Sequence, residues 1–167
     1  FLALAASLQA PAAQLRAAEY GGPDLAAGFC PVTTFQPDDG FSLDRALIYA
    51  VVRQESYFNP KAVSVSNARG LMQLLPSTAR DMDRSTNYRR EPAALFEPGL
   101  NMRLGQSYLH WLMERFHTDG DLRRVFATYP GGPGWLSRWL ATQPADIDPL
   151  MLLETMPRAE SRDYAER

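Results

Sequence analysis

Leu43, Ala46, Leu47, Ala50 and Val51 recur at i, i+3, i+4, i+7 and i+8, and no other spacing constrains the fold of this chain as strongly. Apolar residues at that interval line one side of a helix. Such a stripe has to face a core. Ser42, just before the pattern, is suited to cap the helix. Glu55 lies one turn beyond Val51 on nearly the same face, which puts a carboxylate at the rim of the core, partly desolvated. Asn59-Pro60 closes the helix, because a residue before proline avoids the helical region.

The rest of the chain reads as helical in the same way. Residues 1 to 19 are rich in Ala and Leu and read as one helix, stopped by Tyr20-Gly21-Gly22-Pro23. Residues 21 to 40 hold several Gly and Pro and little periodicity, as a linker or extended wrap would. Residues 61 to 75 read as loop and turn, and Leu75-Pro76-Ser77-Thr78 as the start of a short helix with proline near its first position. Residues 83 to 97 are polar and irregular. A long helix is expected from Pro98 or Gly99 to about Phe116, burying Leu100, Leu104, Tyr108, Trp111 and Leu112. Asp119-Gly120 breaks it, and Asp121 can cap a helix over Leu122 to Thr128. A further helix carries Trp135 and Trp139, a Pro-bounded stretch follows, and a last helix starts near Ala159. Val and Ile are few and alternation is rare, which argues against strands.

Composition removes several classes of function. The 167 residues suffice for one well-cored domain with a small appendage. A net charge of -2 gives no basic excess to meet phosphates, so nucleic acid is not an expected partner. Arg80, Arg84, Arg89 and Arg90 read as a solvated face. The single cysteine, Cys30, cannot make an internal disulfide. His110 and His117 share a helix face but are too few for a metal site, and no metal or cofactor is expected. No apolar run is long enough to span a membrane. Phe1 to Ala13 is weakly like the apolar core of a signal peptide, yet lacks a basic leader and reads as a helix of something longer.

Three stretches carry candidate chemistry. A lone Glu55 at a helix end suits general acid/base work, or simply an ion pair with Arg53 or Arg69. Gly70-Leu71-Met72-Gln73-Leu74 places a glycine before an apolar pair that brackets a Gln. An amide there offers a donor and an acceptor to sugar hydroxyls and acetamides, or else belongs to a core segment. Tyr129, on the Gly/Pro-rich turn Pro130-Gly131-Gly132-Pro133-Gly134, can hydrogen-bond a carboxylic acid or a sugar, or pack at a helix end. Glu154 and Glu160 add acids near the C-terminus, and Tyr108, Trp111, Trp135 and Trp139 could floor a sugar groove or fill a core.

Taken in order, these pieces resemble the soluble lytic transglycosylase family. The series is Arg53-Gln54-Glu55-Ser56 with Asn59-Pro60; Ser64 and Gly70 to Leu74; Pro76-Ser77-Thr78-Ala79; Asn101 with Leu104-Gly105 and Tyr108-Leu109; Tyr129 with Gly132-Pro133-Gly134; and Glu154 to Pro157 with Glu160-Ser161-Arg162-Asp163-Tyr164. The resemblance covers about residues 42 to 167. It implies a mainly α, lysozyme-like domain of the goose-type lysozyme kind over residues 41–167. Residues 1–40 would be a helical segment and linker, the end of a larger upstream helical region. It implies peptidoglycan glycan strands as partner, and so a periplasmic or envelope location. Glu55 matches the single catalytic acid/base. Gln73 and the Gly70 to Met72 backbone match groups lining the sugar subsites, and Ser64 a polar position in the groove. Tyr129 matches the Tyr that orients the glutamate or substrate, and Glu160 a sugar-binding acid. Pro130 stands where the family usually has Asn, Asn67 where Gly is frequent, and Leu75 where Met is common.

The activity implied is cleavage of the β-1,4 bond between N-acetylmuramic acid and N-acetylglucosamine, giving a 1,6-anhydro product without water. A lysozyme-type hydrolase, or a catalytically impaired glycan-binding module, is the alternative reading of the same features.

Overall fold

The computed structural model describes residues 2–8, 10–21, 28, 31, 33–115, 122–144 and 147–166. Cys30, Phe116, His117 and the segment 119–121 lie outside them. The chain divides into two compact units, Phe1–Ser107 and Tyr108–Arg167. Among the described residues the elements are helical; β pairing is limited to isolated bridges of Arg69 with Val63 and with Leu74.

In the first unit, the single helix expected over residues 1–19 is two: α1 (Leu2–Ser7) and α2 (Pro11–Gly21). Pro11 explains the break, since proline fits a first helical turn but not a helix interior. Helix α3 (Arg45–Ser56) is capped by Asp44, whose Oδ1 accepts from Ala46 N at 2.7 Å and Leu47 N at 3.3 Å. Ser42 is not the cap; its N–H and that of Leu43 donate to Gln106 Oε1 at 2.8 and 3.1 Å. The buried face of α3 is also turned by about one residue from the one expected. Ile48, Val51, Val52 and Ser56 are buried, while Ala46 and Ala50 are exposed. Ile and Val bury far more apolar area than Ala, so they take the core side.

Helix α4 spans Pro76–Met82, a 3-10 turn Pro92–Phe96, and α5 Pro98–Arg115. Within α5, Leu104, Tyr108 and Leu112 are buried as expected, whereas Leu100 and Trp111 are only half-buried. The described stretch just before α3 is held by hydrogen bonds. Tyr49 Oη donates to Phe35 O at 2.8 Å, Asp38 N to Gly99 O at 3.2 Å, and Gln106 Nε2 to Gly40 O at 3.2 Å. Residues 33–40 are thereby stitched to α3 and α5 inside the first unit.

The second unit holds α6 (Leu122–Gly131), α7 (Pro133–Leu140), α8 (Pro149–Glu154) and α9 (Ala159–Glu166). Helix α6 runs past Thr128 and through Pro130, closing with Gly132 N donating to Thr128 O at 2.7 Å. Gly132 takes φ +77°, a conformation that glycine adopts without strain, and turns the chain into α7. Helix α8 was not expected; Asp148 starts it by accepting from Leu150 N and Met151 N. Ala127, Leu136, Leu153 and Met156 form a core against which Trp135, Trp139 and Leu140 pack.

Candidate active site

Glu55 occupies the last turn of α3, half-buried, with its carboxyl Oε1 enclosed by the fold. The shifted register leaves this intact: Ile48, Val52 and Glu55 fall at i, i+4 and i+7 and so share a face. Tyr57 then ends the helix in the left-handed conformation at φ 51°, its N–H donating to Arg53 O at 3.1 Å. Phe58 follows at φ 59°. The helix therefore stops before Asn59-Pro60, by a left-handed turn rather than by the proline.

The loop after α3 gathers three of the expected site residues. Ser64 closes its tip: Ser64 N donates to Ala68 O, and Ala68 N to Ser64 Oγ, each at 3.0 Å. Asn67 takes φ 67° there, as an asparagine in a glycine's place can. Gln73 stands at φ 45° and sends its amide nitrogen to Ala62 O at 3.2 Å and Gly70 O at 2.9 Å. Both amide protons are thus spent inside the loop, so the side-chain carbonyl is what Gln73 can offer a ligand. All four non-glycine residues of positive φ among the described residues, Tyr57, Phe58, Asn67 and Gln73, lie within this one stretch downstream of Glu55. Such conformations are uncommon, and strain of this kind gathers at functional sites.

Met72 is different. It is 0% exposed, and its N–H donates to Asn101 Oδ1 at 2.7 Å. Its side chain packs in the core, and it is the backbone from Gly70 to Met72 that the resemblance sets along the sugar subsites. Its partner Asn101 is likewise fully buried. Asn101 Nδ2 donates to Arg69 O at 2.9 Å and Leu95 O at 2.8 Å. A side chain on Gly70, at φ +78°, would strike Leu95 O and the Asn101 amide, and one on Gly105 would strike the Met72 sulfur. Gly70, Met72, Asn101 and Gly105 thus interlock the loop with α5. Asn101 and Gln106 are the residues that sequence reasoning gave no role of their own. Their signal is two amides on the face of α5 that otherwise carries apolar side chains.

In the second unit, Tyr129 sits near the end of α6 and is 8% exposed. Its ring lies 5.4 Å from that of Tyr108 and 6.0 Å from that of Tyr164, nearly parallel to the latter at 19°. Burial pushes the Tyr108 phenol up to about 12, so it stays a neutral hydroxyl. Pro130 does not displace Tyr129 from the helix. Arg158 helps fix this end, with Nη1 donating to Gly131 O at 3.2 Å and its guanidinium 4.7 Å from the Trp135 centroid. Glu160 lies in α9. Trp135 and Trp139 stack on each other at 6.0 Å and lean on the local core, the plainer of the two expected roles.

The sequence matches the Transglycosylase SLT domain family over residues 33–151. This chain belongs to that family. The soluble lytic murein transglycosylase of Salmonella typhimurium is 36% identical over 130 residues, covering 75% of this chain and 19% of the relative. The crystal structure of the 70 kDa soluble lytic transglycosylase of Escherichia coli matches with a TM-score of 0.80 at 28% identity, over 98% of this chain and 27% of that one. The structure of an inactive glutamate-to-glutamine mutant of the lytic transglycosylase Slt of Pseudomonas aeruginosa matches with a TM-score of 0.59 at 33% identity, over 74% of this chain and 20% of that one. The SLT-family chain spans about a fifth of the length of the first curated relatives it matches. Its fold is mainly α and lysozyme-like, as the resemblance implied.

Proposed function

We propose that this SLT-family chain is the catalytic part of a peptidoglycan lytic transglycosylase, cleaving between N-acetylmuramic acid and N-acetylglucosamine with Glu55 as its single acid/base. The observation that carries the reading is Glu55 itself, half-buried with one carboxyl oxygen enclosed, at the head of the strained loop 57–73. A proton donor must start as the neutral acid. Glu55 gives its proton to the oxygen of the scissile bond, and that oxygen leaves with the N-acetylglucosamine side. Positive charge develops at C1 of the muramic acid, as in other glycoside cleavages. The resulting Glu55 carboxylate takes the proton of the C6 hydroxyl on the same sugar. O6 then closes on C1, giving the 1,6-anhydro ring and restoring the neutral acid. One carboxyl suffices because the nucleophile belongs to the substrate.

The Gln73 carbonyl, Ser64 and the Gly70 backbone would line the sugar subsites, with Tyr129 orienting the glutamate or substrate and Glu160 binding sugar. The relative whose inactive form carries a glutamate-to-glutamine change supports an essential glutamate. The substrate implies a periplasmic or envelope location; no helix among the described residues is long and apolar enough to cross a membrane.

Mass spectrometry of muropeptides released from sacculi tests the proposal. Wild type should release anhydro-terminated products, and Glu55→Gln should lose roughly 10²–10⁴-fold or more in rate, the share that positioned acid/base catalysis supplies. Reducing-end products would assign the chain to hydrolysis instead. Release by Glu55→Gln at the wild-type rate would remove Glu55 from the chemistry.

A further inference from the structure

In the second unit, Tyr129 rides on the last turn of α6, and that turn is short of bonds of its own. Pro130 lies inside it. A proline gives no N–H to the carbonyl four residues back, and its ring crowds that carbonyl. The turn also has no basic residue of its own to face the partial negative charge of its last carbonyls. Yet α6 runs on to Gly131, and Gly132 N still reaches Thr128 O at 2.7 Å.

What the turn lacks is supplied from the start of α9. Arg158, the residue before that helix, donates from Nη1 to Gly131 O at 3.2 Å. Its guanidinium carbon lies 4.7 Å from the Trp135 centroid, and Trp135 belongs to α7. One side chain thus spans the turn at Gly132, bonded to the helix before it and stacked on the helix after it. The approach is close. A Cβ on Gly131 would stand 3.0 Å from Arg158 Nη1, 3.1 Å from Ser161 Oγ and 3.3 Å from the Trp135 ring. A cation bonded to a terminal carbonyl is the partner that a helix end favours. A guanidinium laid on a ring is also already oriented, so the bond costs it little freedom. Tyr129 is two residues before Gly131, and the rings of Tyr108 and Tyr164 flank it. Those rings hold it from the side, while the reach of its hydroxyl follows the backbone of the turn. Such reach matters, because a displacement of about 1 Å can cost ~10²-fold in rate.

We propose that Arg158 is a positioning residue of the reaction: it holds the last turn of α6 across Pro130 and so places the Tyr129 hydroxyl. This rests on the reading of Tyr129 given above. The test measures kcat and KM on purified glycan strands, well below each variant's melting temperature. Arg158→Ala should lower kcat by roughly three- to tenfold with KM little changed, the scale of one exposed charged hydrogen bond. Arg158→Lys keeps a cation at the helix end and should recover most of that loss. A double-mutant cycle then separates positioning from mere support of the fold. On a Tyr129→Phe background there is no hydroxyl left to place, so Arg158→Ala should cost less than about twofold there. Wild-type kcat in Arg158→Ala, or an equal loss on both backgrounds, overturns the proposal. So does an Arg158→Ala chain that does not fold, which makes the residue structural. The reading of Tyr129 is tested apart, by Tyr129→Phe alone: a wild-type rate there fails that reading and the proposal with it, whereas a slow Tyr129→Phe beside a fast Arg158→Ala fails the proposal alone.

Discussion

Asn101 shows how much one side chain can hold. Its amide nitrogen serves two carbonyls on different segments, Arg69 O and Leu95 O, while its oxygen receives Met72 N. Arg69 O has a second partner in Leu74 N, so the groups most exposed to loss are Leu95 O and Met72 N. Replacing Asn101 with Ala leaves such buried groups unanswered, at about 1–3 kcal/mol each. Asn101→Ala should therefore lower the melting temperature by roughly 5–15 °C, using about 2–4 °C per kcal/mol for a chain of this length. Thermal unfolding followed by circular dichroism measures it; a shift under about 2 °C would mean that water replaces the amide. Sequence reading found Glu55, because a helical stripe places it whichever of two neighbouring registers is used. It could not find the commitment of Gln73 Nε2 to Ala62 and Gly70, or the burial of Met72. Those depend on which loop carbonyls meet which helix, and spacing does not encode that.

Among the elements, α3 separates what periodicity can decide from what it cannot. The helix was legible and its rotation was not, since alanines and branched residues alternate around it and only packing ranks them. Its N-terminus was misplaced by two residues for a related reason. Ser42 and Asp44 are both good caps by type, and the choice is made by Gln106, which draws the backbone of Ser42 and Leu43 toward α5. The two assignments predict different mutants. Asp44→Ala should cost about 1 kcal/mol, the usual size of a lost cap, and more than Ser42→Ala, which leaves the backbone bond to Gln106 in place. Denaturant melts of both variants decide it, and a larger loss for Ser42→Ala would restore the first assignment. Helix α8 went unseen because its six residues are too short to show a period, although Asp148 before Pro149 is a start signal in hindsight.

For the whole molecule, pH is the condition that probes the buried polar chemistry, and Asp83 is where it acts. Its Oδ1 accepts from Ser85 N at 2.9 Å and Ser85 Oγ at 2.6 Å; its Oδ2 accepts from Tyr88 Oη at 3.0 Å and Arg103 Nη2 at 3.1 Å. The Ser85 bonds first, then the Arg103 guanidinium, hold this carboxyl far below the usual carboxylate range. The same contacts tie the irregular segment after α4 to Arg103 of α5, both ends lying within the first unit. In the unfolded chain Asp83 should titrate near 3.9, the ordinary aspartate value. The unfolded state thus binds the proton more readily than the folded one. The contribution of Asp83 is complete above about pH 4 and is lost as acid drives the folded group to protonate. Asp83→Asn should then be less stable than wild type by about 1–2 kcal/mol at pH 7, discounted for its partial exposure, and the gap should narrow steadily below pH 4. Because the chain has two compact units, the melt should be followed by two probes, whose curves coincide only if unfolding is one cooperative event. If the curves separate, only the transition of the first unit should respond to Asp83. A gap of the same size at pH 2 as at pH 7 would mean that the carboxylate charge is not what the network uses, and that Ser85 and Tyr88 serve an amide equally well.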